Sequence, residues 1–340
     1  MSTLPIEEFL ESSQNNPVVD VRSPGEFESG HIPGATNIPL FTNEERAVVG
    51  TIFKQKNRES AILEGLDIVG PKMSRFVREC QALDFENHLL IHCWRGGMRS
   101  ESFAWLMNTS GLVAKTLEKG YKAYRNYALE TLEKPSKLIL IAGSTGSGKT
   151  EVLHKLKEMG EQTVDLEGIA NHKGSAFGAL GQNPQPSTEH FQNMLFEAFR
   201  PLDFNKCIWL EDESIGIGKV FIPNQLWNQM VKSPFIRIEL AKEKRIERLV
   251  KEYGHFTKDE LEVSINKIAK KLGGQTVQEA IASLKTGDLH STTQLVLKYY
   301  DKSYNNSIIR KNNRQMNSIE FDSFNAGSMA KALIEAANNN

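Results

Sequence analysis

The sequence predicts an α/β protein built as two domains in tandem, and three observations carry the prediction. The chain has 340 residues, more than one ordinary core holds and enough for two domains that each bury a substantial apolar interior. Two short apolar runs, Leu89-Leu90-Ile91-His92-Cys93 and Lys137-Leu138-Ile139-Leu140-Ile141-Ala142, each stop abruptly at a glycine-rich loop that leads into a stretch of helical spacing. Between them the pattern breaks at Glu133-Lys134-Pro135-Ser136, which sets the expected boundary, with one domain over residues 1–135 and another over 136–340.

In the first domain, Pro17 to Arg22 reads as a short buried strand, followed by the turns Ser23-Pro24-Gly25 and His31-Ile32-Pro33-Gly34-Ala35. The stretch from Phe41 to Met73 is long and poor in strand signals, and is read as a helical insertion without an evident role. Beyond the Cys93 loop, Phe103, Ala104, Leu106 and Met107 show helical spacing. In the second domain the strand 137–142 is followed by a helical run from Glu151 to Met159, strands at Cys207–Leu210 and Phe235–Leu240, and a charged helix from Lys242 to Glu252. The segment Asp165 to Gly178, with Pro184-Gln185-Pro186-Ser187 and Phe191, is rich in Gly, Ser and polar groups and reads as a binding loop more than as core. The last residues, Asn338 to Asn340, are expected to fray.

Composition narrows the class. With 39% hydrophobic and 24% charged residues the chain is neither disordered nor fibrous. A net charge of -1 supplies no global attraction to a polyanion, so any nucleic-acid contact depends on locally gathered charge. Residues 1–13 lack the features of a secretory signal, and no run approaches the roughly 20 apolar residues that span a bilayer. The three scattered cysteines argue against a disulfide framework, and a reducing cytoplasm is the expected compartment. Cys80 and Cys207 sit among apolar residues and are expected in the core. His88 and His92 are four apart but flank a strand, so no metal site is predicted.

Chemistry concentrates in two loops. In His92-Cys93-Trp94-Arg95-Gly96-Gly97-Met98-Arg99-Ser100 a strand delivers a cysteine into a tight turn that closes on a helix start. Successive backbone amides in such a turn form an anion-binding nest, and Arg95 and Arg99 add full charges. Together they favour the thiolate of Cys93 and its attack on an electrophilic sulfur, selenium or phosphorus. The second loop, Gly143-Ser144-Thr145-Gly146-Ser147-Gly148-Lys149-Thr150, satisfies G-x-x-x-x-G-K-[ST] between a strand and a helix, the setting of a phosphate-binding P-loop. Gly143, Gly146 and Gly148 let the backbone wrap a phosphate, Lys149 supplies charge and Thr150 is placed for Mg2+. Glu211 and Asp212, in the acidic run after the strand Cys207–Leu210, are the expected metal-organising acids.

The segment Asp20 to Ala35 and the Cys93 loop resemble the rhodanese family. One departure is that five residues separate Cys93 from Arg99, where common small rhodaneses have four; this spacing is similar to that of cell-cycle-type dual-specificity phosphatases. The order of a rhodanese-like domain and a P-loop NTPase-like α/β domain, together with the 165–191 segment, Gly120-Tyr121-Lys122-Ala123-Tyr124-Arg125 and Glu211-Asp212-Glu213-Ser214, resembles the tRNA 2-selenouridine synthase family from about Pro17 to Leu249. The resemblance implies a cytoplasmic transferase that replaces sulfur by selenium at C2 of the wobble uridine. Thiouridine is first geranylated from geranyl diphosphate, and the geranylthio group is then displaced using selenophosphate by way of a Cys93-bound selenide. No tightly bound cofactor and no membrane are implied, Mg2+ is an option, and a monomer is the expected assembly. From the residues alone ATP or GTP is the default P-loop ligand; with the resemblance, the diphosphate of the geranyl donor is the working hypothesis, and the choice between it and a nucleotide stays open.

Tyr121, Lys122, Tyr124, Arg125 and Tyr127, with the helix carrying Lys242, Lys244, Arg245, Arg248 and Lys251, are the candidate tRNA contacts, because interleaved aromatic and basic residues can stack bases and bind phosphates. Against this, tyrosines more often pack interfaces and mixed charges more often coat a solvated helix. Two other functions fit the same loops: a Cys-x5-Arg phosphatase fused to a nucleotide-binding module, and a non-catalytic anion sensor.

Overall fold

The computed structural model describes residues 2–83, 88–310 and 316–338. By packing the chain divides into two units, Met1–Thr131 with Ser187–Glu197, and Leu132–Pro186 with Ala198–Asn340.

The first unit runs β1 (Ser2–Leu4), α1 (Ile6–Ser12), β2 (Val18–Asp20), α2 (Pro24–Ser29), β3 (Thr36–Asn37), α3 (Asn43–Gln55), α4 (Arg58–Val69), a short 3-10 turn, α5 (Met73–Gln81), β4 (Leu89–His92), α6 (Met98–Thr109), β5 (Ala114–Leu117) and the start of α7 (Gly120–Glu133). Its five strands are parallel in the order β1-β5-β4-β2-β3. Helices cover both faces, which is why β2 and β4 are buried at every position instead of alternating. One core gathers Val19, Ile91, Phe76, Phe103 and Met107. The expected helical insertion is present as α3 and α4, each started by a side-chain cap, Thr42 and Asn57.

The second unit continues with β6 (Lys137–Gly143), α8 (Lys149–Glu158), β7 (Gln162–Val164), α9 (Leu166–Ile169), α10 (Thr188–Phe199), β8 (Cys207–Glu211), the hairpin strands β9 (Gly216–Ile217) and β10 (Val220–Phe221), α11 (Asn224–Met230), β11 (Phe235–Leu240) and α12 (Lys242–Tyr253). The helices α13 (Lys258–Lys267), α14 (Ala269–Leu272), α15 (Gly274–Thr286) and α16 (Leu289–Arg310) follow, then β12 (Met316–Phe321) and α17 (Ala326–Asn338). Its parallel sheet is ordered β12-β11-β6-β8-β7, so the P-loop strand lies at the centre. Ile139, Ile141, Leu153, Trp209 and Leu333 pack its core.

Two features had no sequence signal. The edge strands β1 and β12 were not expected; β1 is three residues of mixed character whose pairing with β5 comes from position and not from periodicity. The segment Ser187–Glu197 lies late in the chain yet packs within the first unit, where Asn193 Nδ2 donates to His31 O at 2.7 Å and to the Tyr121 hydroxyl at 2.7 Å. Phe191, read from sequence as part of a binding loop, is fully buried there. Cys80 is buried as expected, and Cys207 is half-buried.

Candidate functional site

The first loop begins where β4 ends. Cys93 is buried, and its carbonyl accepts from Tyr121 N at 2.8 Å while that of Trp94 accepts from Lys122 N at 3.0 Å. The loop carbonyls are thus turned toward the start of α7. Among the described residues the amides of Trp94, Arg95 and Gly96 make no hydrogen bond, leaving three donors for an anion beside the N-terminus of α6. Two backbones touch to achieve this: a Cβ on Gly120 (φ 59°) would lie 2.4 Å from both Cys93 O and Gly96 N, and one on Gly96 (φ 58°) would lie 2.8 Å from Leu117 O. Gly120, noted in the sequence only through resemblance, is the residue that lets the loop close.

Cys93 Sγ lies 3.2 Å from Ser100 Oγ. Ser100 is fully buried in the first turn of α6, so its hydroxyl is held where it can donate to a thiolate. Arg99 Nη1 donates to Glu26 Oε2 at 2.9 Å, and Arg46 reaches the same carboxylate at 3.8 Å. Burial pushes Glu26 up, but the Arg99 hydrogen bond and charge, helped by Arg46, outweigh it and hold the carboxyl below its ordinary range. Glu26 therefore stays ionised and orients Arg99. Sequence reading passed it over, although it stands inside the Asp20–Ala35 signature. Arg95 is exposed and has no partner among the described residues. Beneath the loop, the buried Arg22 pairs with Asp20 at 2.6 Å, donates to Gly30 O at 2.7 Å and lies 3.8 Å from the Tyr121 ring centre. Burial lowers the pKa of His92 more than the nearby Asp20 raises it, so this imidazole is neutral.

The second loop joins β6 to α8. Gly143 closes the strand, and Gly146 (φ 84°) and Gly148 (φ 81°) shape the turn. Lys149 Nζ donates to Gly143 O at 3.2 Å, across the loop a phosphate would enter. Thr150 Oγ1 donates to Glu167 Oε2 at 3.2 Å. Glu167 and Glu213, neither singled out by sequence, crowd one spot, since a Cβ on Gly174 would fall 2.7 Å from one carboxylate and 3.0 Å from the other. Burial, then repulsion from Glu213, raise Glu167 to about 8 against the opposing charge of Lys149. The expected acids are placed differently. Glu211 is fully buried, accepts from Leu166 N at 3.0 Å, and is pushed well above the carboxylate range by burial with Asp165 and Glu167 adding, so it acts as a neutral brace for α9. Asp212 is half-buried, with its amide donating to Ile141 O at 2.9 Å. A charge at a strand end is visible in sequence, but which acid faces the loop is decided by how α9 folds over it.

The tRNA candidates divide. Tyr121 and Tyr124 are fully buried, with the Tyr121 hydroxyl donating to Glu189 at 2.8 Å, and Arg125 is engaged by Asn193 at 2.6 Å and Gln192 at 2.8 Å. This face of α7 packs residues 187–197 and offers no ring to a base. Tyr127 packs edge-on to Phe196, while Lys122 is exposed. On α12, Arg245 pairs with Asp301 through both of its terminal nitrogens, at 2.8 and 3.1 Å, and donates to Thr145 O at 3.1 Å. Arg248 donates to Gly146 O at 3.2 Å, stacks 3.3 Å from the Phe324 ring centre and pairs with Glu151. These two arginines hold the P-loop carbonyls outward and are not free for RNA. Lys244 pairs with Glu247 at 3.0 Å, and only Lys242 and Lys251 of this set stand fully exposed.

The acid pair carries a pH prediction. Glu167 is raised from 4.5 to about 8, so between those values the unfolded chain has released a proton that the folded chain keeps. Its contribution to stability is therefore greatest at the acidic end, declines as pH rises across that window and levels off above it. In thermal melts from pH 5.5 to 8.5, Glu167→Gln should lose less stability with rising pH than the parent; parallel curves would refute the assignment.

A buried cysteine in a loop with unpaired amides on one parallel sheet, and a lysine-bearing glycine loop on another, define a two-unit α/β protein with one cysteine loop and one P-loop. Family models agree with both halves: a rhodanese-like domain matches residues 6–128, and the tRNA 2-selenouridine synthase AAA domain matches residues 136–327. The chain belongs to the tRNA 2-selenouridine synthase family. It is 33% identical over 337 aligned residues to a tRNA 2-selenouridine synthase of Shewanella denitrificans, covering 88% of this chain and 90% of the relative. It is 31% identical to one of Nitrosomonas europaea, covering 87% and 90%. Among solved structures, a rhodanese-related protein of Thermoplasma volcanium matches with 17% identity and a TM-score of 0.25, over 37% of this chain and 93% of that one. No described helix is long and apolar enough to cross a membrane.

Proposed function

We propose that this chain is a tRNA-modifying transferase that replaces sulfur by selenium at C2 of the wobble uridine, in two steps. The observation that carries the reading is the presence of both loops, complete, in a chain that aligns over most of its length with tRNA 2-selenouridine synthases. In the first step the 2-thiouridine sulfur attacks C1 of geranyl diphosphate, a carbon–sulfur bond forms, and diphosphate leaves. Lys149 and the P-loop amides would neutralise that diphosphate. With Mg2+ bound, Thr150 and Glu167 would supply oxygen ligands suited to a hard cation.

In the second step selenide attacks C2 and displaces geranylthiolate, a better leaving group than the sulfide that unalkylated 2-thiouridine would have to expel. Selenium enters at the oxidation level at which sulfur departs, so the exchange needs no oxidant, whereas a sulfur–selenium bond at Cys93 would need one. The electron count therefore favours a modified role for the cysteine. Cys93 Sγ attacks phosphorus of selenophosphate, the P–Se bond breaks to release selenide, and water cleaves the S–P bond to return the thiolate and phosphate. The five-residue spacing to Arg99, its Glu26 brace and the Ser100 hydroxyl against Sγ support phosphoryl chemistry at this loop. Mass analysis of wobble nucleosides, in tRNA from cells with and without the protein grown on selenite, tests the function. Selenouridine that vanishes with the protein is expected; an unchanged level would overturn the reading.

A further inference from the structure

The helical insertion, mute in the sequence, walls a feature of the first unit that neither step yet uses. Helices α3, α4 and α6 enclose a cavity of about 590 Å³, within the range of about 300–1,000 Å³ of small-molecule sites. Its walls are mainly apolar, and they include Phe53, Leu66, Met98 and Trp105, which are 58%, 61%, 47% and 52% exposed. Four large apolar side chains left in water around one hollow is the pattern of a ligand site and not of a finished core. The charged residues in the wall are all basic: Arg46, Lys54, Arg58 and Arg99 line it, and no Asp or Glu does. Lys54 and Arg58 make no ion pair among the described residues. An apolar hollow with a cationic wall fits an apolar chain attached to a polyanion.

The hollow also shares residues with the chemistry. Met98, Arg99, Ser102 and Phe103 of its wall belong to the first turns of α6, the helix whose N-terminus closes the Cys93 loop, and Arg99 serves both. In the second unit the apolar cavity beside Thr145 measures about 60 Å³, and the one beside Ser144, of about 420 Å³, has Glu239, Glu320 and Asp322 in its wall. We infer that the α3–α4–α6 cavity binds the ten-carbon isoprenoid chain of S-geranyl-2-thiouridine in tRNA while selenium replaces the geranylthiolate. The inference rests on the proposal that geranylated RNA is the substrate of the selenation step. It makes the insertion a device for recognising the alkylated intermediate: the chain that activates the sulfur for departure is also the handle by which the cysteine unit selects RNA already alkylated.

The test uses the full-length protein and anticodon stem-loop RNAs carrying S-geranyl- or S-methyl-2-thiouridine at the wobble position, with binding read by fluorescence anisotropy and turnover read separately. Wild type should bind the geranyl RNA about tenfold or more tighter than the methyl RNA, as burial of several extra carbons implies. Phe53→Ala combined with Leu66→Ala should bring the two affinities within about twofold while leaving geranyl transfer from geranyl diphosphate unchanged. Gly65→Leu should do the same by filling the hollow; its Cβ meets only the Phe41 ring, at 3.4 Å. Equal affinities in wild type, a geranyl preference that survives both variants, or a loss of preference accompanied by loss of geranyl transfer would overturn the inference. So would a preference that survives while the variants convert a dimer to monomers, which would assign the hollow to a second copy. Wild type that prefers geranyl RNA but never selenates it would uphold the cavity and defeat the proposed substrate of the Cys93 step, so the two failures are told apart.

Discussion

Cys93→Ser should abolish selenium incorporation, by about three orders of magnitude or more, while leaving geranylation of 2-thiouridine largely intact. The hydroxyl keeps the side chain's shape and its contact with Ser100, 3.2 Å away in the parent, but does not ionise to a comparable nucleophile. Geranylated tRNA should therefore accumulate in cells carrying the variant. Labelled selenophosphate adds a second reading: radiophosphorus trapped on wild-type Cys93 supports attack at phosphorus, whereas radioselenium there in its place would return the cysteine-bound selenide. Full selenation by the serine variant would end the claim that Cys93 is the nucleophile in either form.

Lys149→Ala should have the converse effect. Its ammonium reaches across the loop to Gly143 O at 3.2 Å, and in the bound state would meet the charge that develops on the departing diphosphate. Geranyl transfer should fall by about 100- to 1,000-fold, and selenation of RNA supplied already geranylated should continue. Unchanged geranyl transfer with normal donor affinity would refute the assignment of the P-loop to the geranyl donor. The two variants thus separate the steps in opposite directions, which neither a phosphatase nor a passive anion sensor would produce.

Much of the site was legible because it is local. Cys93, Arg99 and Ser100 lie within eight residues, and Gly143 to Thr150 form one unbroken run, so strand, loop and helix start are all written in consecutive residues. What escaped was whatever comes from elsewhere in the chain. Glu26 braces Arg99 from seventy-three positions away, and Gly120 closes the Cys93 loop from the far end of β5. Tyr121 and Tyr124 show where local pattern leaves two readings open: their interleaving with Lys122 and Arg125 suits an RNA-binding face as well as a packed one, and the packing of residues 187–197 decides for core.

From the amino-acid order alone came the α/β class, the cysteine loop, the P-loop and the family, since each depends on short-range spacing that strand, turn and helix geometry translate directly. Tertiary structure decided which acids stand beside Thr150, which arginines support the P-loop instead of meeting RNA, and that α3 and α4 enclose a hollow walled in part by Arg99 of the Cys93 loop. Burial and pairing depend on contacts between distant segments, and a carboxylate or guanidinium takes its role from the charge and desolvation it meets there, which no spacing along the chain records.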